Sequence, residues 1–177
     1  MKKLFLLILM AFILSAFAEK YTIVFNSSTS DATNTPKVLN NFVLKATNNC
    51  ISELLSTDKV NRAKEGFGIK GGTGTAKGYI SFRLDDTYSI TTMTVYAACF
   101  DHSTDLGKNY GINVCGHNIQ WEDGHKTEIY PYTFSLNASF DSISIEAVNA
   151  KNNRWYVQKI EFEAEDPHPT RAIIETQ

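Results

Sequence analysis

The sequence lacks a strong excess of charge of either sign. Its 177 residues contain 17 lysines and arginines against 19 aspartates and glutamates, a formal net charge of −2. A protein that grips nucleic acid or an anionic lipid surface needs a concentrated basic region, and no such region is visible along this chain. Nucleic acid is therefore not an expected partner.

Cysteine and proline are scarce, with 3 and 4 copies. The odd number of cysteines leaves at least one thiol without a partner in its own chain. Strand alternation places Cys99 on the side of Val95, toward the core, and Cys115 on the side opposite to Val114, so these two thiols should point apart. A buried, free Cys99 is favoured, while a disulfide between Cys99 and Cys115 stays open as the alternative.

Long apolar runs are absent except at the N-terminus. Two lysines precede an apolar segment over residues 4–14, and the small residues Ala16 and Ala18 follow it. This pattern predicts a signal peptide over residues 1–18, cleaved after Ala18. The run is shorter than the ~20 residues that a membrane-spanning helix needs. We expect a secreted or extracytoplasmic protein with no membrane insertion after signal cleavage.

Catalytic motifs are missing as well. The chain has no Gly-x-Ser-x-Gly and no His-Glu-x-x-His, and nothing in the spacing of its carboxylates selects a pair suited to glycoside hydrolysis. A Gly-x-Gly-x-x-Gly run over residues 66–71 matches a dinucleotide fingerprint on paper, but no helical pattern follows it. We expect a protein without catalytic residues, whose glycines serve tight backbone turns.

Candidate metal ligands follow no known consensus. The spacing of His117, Asp123 and His125 matches no recognised zinc pattern. No cofactor is expected, although calcium prefers oxygen ligands and a structural calcium ion is compatible with carboxylates near strand ends. These carboxylates belong to Asp85, Asp86, Asp101 and Asp105.

The chain is rich in alternation of apolar and polar residues. In residues 90–100, Met93, Val95, Ala97 and Cys99 share one parity, and polar residues take the other. This period of two is typical of a strand that buries one face against a core. We predict that it is a central strand.

Similar runs recur at the spacing expected of an all-β protein. The pattern predicts a two-sheet antiparallel sandwich of eight or nine strands over residues 19–164, followed by a disordered tail over residues 165–177. At most one short helix is expected, within residues 38–55, whose pattern suits either a helix or an irregular strand. Residues 56–65 are charged and are expected to form a surface connection. The further predicted strands cover residues 20–25, 67–69, 79–84, 110–116, 117–121, 126–136, 142–148 and 154–164.

Three turns and one edge strand are predicted from local signals. Glycines suggest a hairpin turn at residues 71–74, and Asp123-Gly124 is a strong hairpin signal. A turn is also expected at residues 137–139. Pro131 cannot donate a backbone hydrogen bond and therefore predicts an edge strand or a bulged one.

The last predicted strand changes parity along its length. Trp155 and Val157 lie on one face, while Ile160 and Phe162 lie on the other. A bulge at residues 158–159 would bring all four side chains to the core.

This order of elements resembles the jelly-roll, galactose-binding-domain-like modules of secreted bacterial proteins. The resemblance implies a two-sheet antiparallel jelly-roll sandwich, and it implies binding of glycans or attachment of larger enzymes to them. No ligand motif of such modules can be transferred residue by residue. The segments that carry the resemblance are residues 66–82, 90–98, 110–116, 142–147 and 154–163.

Residues 117–132 stand out as a candidate ligand site because they combine aromatic and polar side chains. Sugars are bound by aromatic faces together with a few convergent polar groups. The alternative is that Trp121 and one tyrosine cap the core at a sheet edge, as large aromatic residues usually do. The candidate ligand-binding residues are Trp121, Tyr130, Tyr132, His117, Asp123 and His125.

From the sequence alone we predict a secreted, non-catalytic β-sandwich module that binds carbohydrate through an exposed aromatic hairpin. The alternative is a surface adhesion or structural module that binds protein and has no affinity for sugar. The expected partner is thus a glycan or a cell-surface protein.

Overall fold

The computed structural model describes most of the chain between Ala18 and Glu165. The predicted signal peptide, apart from Ala18, and the predicted tail, apart from Glu165, lie outside the described residues. The described ranges are 18–25, 37–39, 42–101, 110–121 and 127–165.

These ranges contain eleven β-strands and a single 3-10 turn, Thr47–Asn49, which confirms the all-β prediction. None of the described residues belongs to a helix that could cross a membrane. The strands are β1 (Ala18–Phe25), β2 (Lys37–Leu39), β3 (Phe42–Ala46), β4 (Ile51–Asp58), β5 (Val60–Arg62), β6 (Ile69–Gly71), β7 (Tyr79–Cys99), β8 (Gly111–Val114), β9 (His117–Gln120), β10 (Tyr130–Ala147) and β11 (Trp155–Glu165).

Eight of the strands follow one antiparallel hydrogen-bonded path that folds into two layers, while β4, β5 and β6 pair off this path. β7 and β10 are 21 and 18 residues long, pair with each other, and serve both layers. In the first layer, the C-terminal half of β7 lies between β10 and β11, and β1, β3 and β2 follow. In the second layer, the N-terminal half of β7 lies between β4 and β10, and β8 and β9 follow. The predicted two-sheet jelly-roll sandwich is confirmed.

The core lies between the two layers and contains the predicted central strand. Met93, Val95, Ala97 and Cys99 are all fully buried. The first strand contributes in the same way, since its alternate residues from Tyr21 onward are buried. Alternation therefore identified the inward face of both strands.

The bulge predicted in the last strand is confirmed. The pairing of β11 with β7 shifts between Val157 and Lys159, so Gln158 is the extra residue. Because a bulge changes the parity of the strand, both halves of β11 turn their apolar residues inward. The buried residues on the two sides of the bulge are Trp155, Val157, Ile160 and Phe162.

The turn predicted at residues 137–139 is wrong, because β10 continues through it. Asn137 instead has a φ of 50° where the pairing with β7 shifts between Ser135 and Ala138. The two strands predicted at residues 79–84 and 90–100 are likewise one strand, β7. Alternation of apolar residues marks the two ends of this long strand and misses the mostly polar residues 85–89 that join them, among which Tyr88 is buried.

The ambiguous segment at residues 38–55 is mostly extended. It contributes to β2, β3 and β4, interrupted by the 3-10 turn. Residues 56–65 are expected to be a connection, but residues 56–58 complete β4 and Val60–Arg62 form β5. A strand near a sheet edge exposes polar residues on more than one of its faces. The alternation of apolar and polar residues is then weaker, and the strand is harder to predict from it.

The hairpin predicted at residues 71–74 is wrong, because β6 pairs with β5 and β11. Gly71 lies opposite Trp155, and a Cβ atom on Gly71 would stand 2.0 Å from Cζ2 of the indole. Glycine is required here because the indole ring occupies the space of a side chain. A positive φ does occur nearby, at Gly72 (84°), where the chain leaves β6.

All three cysteines lie among the described residues, and none of them forms a disulfide. Cys50 and Cys99 are buried and Cys115 is partly exposed, so the expected burial of Cys99 is confirmed. Burial raises the pKa of the Cys115 thiol, against an opposing hydrogen bond with the backbone of Ser144.

Candidate functional site

The candidate site lies where an edge of each layer comes together. β9 pairs with β8 in the second layer, whereas β10 begins at Tyr130 by pairing with β7 in the first. The described residues show no pairing of β9 with β10, so the hairpin predicted from Asp123-Gly124 is wrong. β9 therefore lies in the second layer, whereas β10 begins in the first.

The N-terminal half of β10 is an edge, as Pro131 predicts. Pro131 lies opposite Tyr96 of β7, and the described residues place no strand on its other side. A proline is tolerated there because no neighbouring strand needs its missing N–H group. The open side of this edge is available to line a groove.

A tight turn positions β9 beside that edge. Cys115 and Gly116 both have positive φ, 51° and 85°, as in the turns that favour two-residue hairpins. Asn113 closes the turn, since its Oδ1 accepts a hydrogen bond from the Gly116 backbone N–H at 2.9 Å. Its Nδ2 donates to Oδ1 of Asn118 at 2.8 Å. These bonds fix the register in which His117 and the alternate residues after it follow the turn.

The groove between the two edges has a volume of about 640 Å³. Five consecutive residues of each edge line it, so side chains of both parities contribute. One parity of each edge supplies most of the aromatic and apolar side chains, because side chains of one parity share a face of a strand. These residues are His117, Ile119 and Trp121 from β9 and the residue after it, and Tyr130, Tyr132 and Phe134 from β10.

Aromatic contacts bridge the groove between the layers. His117 stacks on Phe134 with ring centroids 3.9 Å apart and planes inclined by 4°. Trp121 meets Tyr132 edge to face, with centroids 6.1 Å apart. Because each pair joins one residue near β9 to one in β10, the two contacts hold the layers together at this opening.

The rings differ in their exposure. Tyr130 is 42% exposed, whereas Trp121 is 7% exposed and belongs to the hydrophobic core. The Trp121 Nε1 atom is buried, and no described residue accepts a hydrogen bond from it. Trp121 therefore supports the wall from behind, and Tyr130 is the ring that faces solvent.

Four of the six candidate ligand-binding residues come together in this groove, namely His117, Trp121, Tyr130 and Tyr132. Asp123 and His125 lie outside the described residues, and their role stays a prediction. Sequence reasoning missed Phe134, although it shares the parity of Tyr130 and Tyr132 and could have been found from that pattern.

The described lining carries no carboxylate, lysine or arginine. Its polar side chains include the amides of Asn118 and Gln120 and the hydroxyl of Thr133. Neutral groups of this kind donate and accept hydrogen bonds without attracting a charged ligand. The groove thus offers aromatic surface and neutral hydrogen-bonding partners.

The carboxylates considered for calcium do not converge among the described residues, where no group of three or more His, Cys, Asp or Glu side chains could hold a metal. Asp85 accepts a hydrogen bond from the Tyr88 hydroxyl at 2.7 Å, and Asp86 accepts one from the Thr87 backbone at 2.6 Å. Asp105 lies outside the described residues. A structural calcium ion stays a prediction.

Comparison by sequence identifies no family, because no family model matches the chain. No curated protein matches it either.

Comparison by structure finds similar solved structures. One is a variant of the family 29 carbohydrate-binding module CBM29-2 in complex with mannohexaose, with 10% identity, a TM-score of 0.51, and coverage of 82% of this chain and 92% of that one. Another is the xylan-binding module CBM86 from Roseburia intestinalis, with 14% identity, a TM-score of 0.38, and coverage of 63% of this chain and 88% of that one. The likeness to CBM29-2 concerns the fold alone and agrees with the predicted jelly-roll sandwich.

Proposed function

We propose that the chain is a secreted, non-catalytic module that binds carbohydrate in the groove between β9 and β10. Tyr130 provides the ring on which a sugar stacks, Tyr132 and His117 flank it, and Trp121 supports the wall. The predicted residues Asp123 and His125 belong to the same proposed site, on the segment that joins its two edges.

The observation that carries this proposal is the exposure of Tyr130. It and Leu55 are the two large apolar residues of the described chain that are strongly exposed, and Tyr130 alone lies in the groove. Exposing an aromatic ring at the mouth of an aromatic-lined groove forgoes the free energy of burying it, and a ligand that covers the ring would recover that free energy.

The chemistry of the lining suits a sugar. The C–H groups of a pyranose ring pack against an aromatic face, while its hydroxyls need neutral donors and acceptors around it. Asn118, Gln120 and Thr133 line the same groove and carry such groups. The fold shared with a carbohydrate-binding module adds support to this assignment.

A glycan array with the purified mature chain tests the proposal. We expect binding to at least one glycan class, loss of that signal in Tyr130→Ala, and its retention in Tyr130→Phe, which keeps the ring. Leu55→Ala is the matched control, because Leu55 is 40% exposed and lies outside the groove. An array without any signal would favour the alternative, a surface module that binds protein.

Secretion is tested separately. We expect the exported protein to begin at Glu19, which N-terminal sequencing or intact mass spectrometry would reveal. A mature chain that retains residues 1–18 would contradict the predicted signal peptide but would leave the proposed binding groove unaffected.

A further inference from the structure

We infer that the groove takes a short, uncharged stretch of a single dissolved glycan chain, and that it binds neither a crystalline polysaccharide surface nor an acidic polysaccharide. This inference rests on the proposed function and narrows it to a class of ligand. Three features of the groove carry it: the inclination of its rings, its size and the charge of its lining.

The first feature is that the aromatic rings are not coplanar. The planes of Tyr130 and Tyr132 are inclined by 69°, and those of Tyr132 and Trp121 by 62°. A flat crystal face can touch several aromatic rings at once only when the rings lie in one plane and are all exposed. Here each ring meets the edge of the next, and Trp121 is buried.

The inclined rings instead form the walls of a trough. The Tyr132 ring lies beside the position of a sugar that stacks on Tyr130, because the centroids of the two tyrosine rings are 5.5 Å apart. The His117 and Phe134 pair stands further along β10 and β9 as a second aromatic barrier between the layers. A separate chain can enter this trough and be contacted on several sides, whereas a chain locked in a crystal cannot.

The second feature is the size of the groove. Its volume of about 640 Å³ lies inside the range of roughly 300–1,000 Å³ that is typical of sites for small ligands. The edges that line it span only His117 to Trp121 on one side and Tyr130 to Phe134 on the other. Only a short segment of a polymer is therefore held at one time.

The third feature is the charge of the lining. The described lining has no lysine or arginine to pair with a uronate or a sulfate. Desolvating an anion without a cationic partner is costly, so acidic glycans are disfavoured.

The test compares three sets of probes with the full mature chain. Dissolved neutral glucans, mannans, xylans and galactans, each with its ladder of oligosaccharides, are titrated by calorimetry. Polygalacturonate and alginate are the acidic probes. Microcrystalline cellulose and crystalline chitin are tested by depletion of the protein from solution.

We expect at least one dissolved neutral glycan to bind, with an affinity per site that stops rising, to within about twofold, at short oligosaccharides. Tyr130→Ala should abolish this binding, while Leu55→Ala should not. Retention on crystalline cellulose or chitin, a preference for polygalacturonate or alginate, or an affinity that keeps rising along the ladder would overturn the inference and leave carbohydrate binding intact. Binding to no probe would overturn both the inference and the proposed function.

Discussion

The side-chain amide of Asn153 forms two hydrogen bonds with the backbone of Gly111. Its Nδ2 donates to the Gly111 carbonyl at 2.8 Å, and its Oδ1 accepts from the Gly111 backbone N–H at 3.1 Å. Asn153 is 1% exposed, so both bonds are shielded from water. Because Gly111 begins β8, this pair fastens the strand that supports β9 to the segment that precedes β11.

Replacing Asn153 should therefore destabilise the fold around the groove. In Asn153→Ala the Gly111 N–H loses its partner in a buried place, which costs about 1–3 kcal/mol of the free energy of unfolding. Urea denaturation measures this loss. Gln120→Ala, at an exposed amide of β9, is the control and should cost less than about 0.5 kcal/mol. Equal stability of the two variants would show that the buried pair contributes nothing.

Gly71 is a second position where the packing depends on one atom, because a Cβ atom there would meet the Trp155 indole. In Gly71→Ala the new methyl group would overlap the Trp155 indole, which is fully buried and cannot move aside. We expect a loss of about 1–3 kcal/mol or more, visible as a lower midpoint of thermal unfolding. At Gly74 the nearest atom to a new Cβ is 3.7 Å away, so Gly74→Ala should leave the midpoint nearly unchanged. A Gly71→Ala variant as stable as Gly74→Ala would refute the proposed clash.

The inward faces of the strands could be predicted from the sequence because burial imposes a period of two. This held for Met93 to Cys99, and it held in β11, where the change of parity between Val157 and Ile160 predicted the bulge. Such patterns are local, since they depend only on which side of a strand meets the core.

Strand partners could not be predicted in the same way. Asp123-Gly124 is a strong local signal for a hairpin, yet β9 pairs with β8 and β10 pairs with β7. Pairing is decided by long-range contacts along all of β7, which no short motif records. Sequence reasoning assigns His117, Trp121, Tyr130 and Tyr132 to one candidate site. It expects a hairpin to bring them together, but the described residues of β9 and β10 do not pair with each other.

The exposure of an aromatic residue is also a long-range property. Trp121 and Tyr130 are equally suited to bind sugar by residue type, and only the fold buries the first and exposes the second. Trp121 lies in the hydrophobic core, where the Tyr132 ring of the other layer contacts it edge to face. No residue spacing in the sequence indicates that Tyr132 lies against Trp121.

The two rings should accordingly separate stability from binding. Trp121→Ala removes a buried ring and should cost about 3–5 kcal/mol of the free energy of unfolding. Tyr130→Ala removes an exposed ring and should change the free energy of unfolding by less than about 0.5 kcal/mol. Chemical denaturation of both variants beside the wild type measures the difference. A Trp121→Ala variant of unchanged stability would mean that the indole is not part of the core.

A milder change at the same position tests how Trp121 acts. Its Nε1 has no acceptor among the described residues, so Trp121→Phe loses apolar contacts and no hydrogen bond with them. We expect this variant to retain most of the stability that Trp121→Ala loses, with a cost below about 1.5 kcal/mol. A cost as large as that of alanine would point to an essential polar contact of the indole.

On the outer face of the first layer, Glu161 is held by two lysines. Its Oε2 lies 2.8 Å from Nζ of Lys20, and its Oε1 lies 2.7 Å from Nζ of Lys159. The Tyr96 hydroxyl donates to the same carboxylate at 3.3 Å. Burial by itself would raise the pKa of Glu161, but the hydrogen bonds and charges of Lys159 and Lys20 lower it below its usual value.

This lowered pKa predicts how stability depends on pH. A carboxyl whose pKa is lower in the folded than in the unfolded chain stabilises the fold above its usual pKa, and the contribution is lost as the pH falls through the folded value. The free energy of unfolding of the wild type should therefore fall on acidification below the usual pKa of about 4.5.

Glu161→Gln removes the titrating group, so the stability of this variant should be lower than that of the wild type at neutral pH, by up to about 1 kcal/mol. In acid the two stabilities should converge. Glu163→Gln, two residues further along the same strand, is the matched control. Urea titrations at several pH values measure both variants, and a constant difference between wild type and Glu161→Gln down to the lowest pH would show that the two lysines do not favour the charged carboxylate.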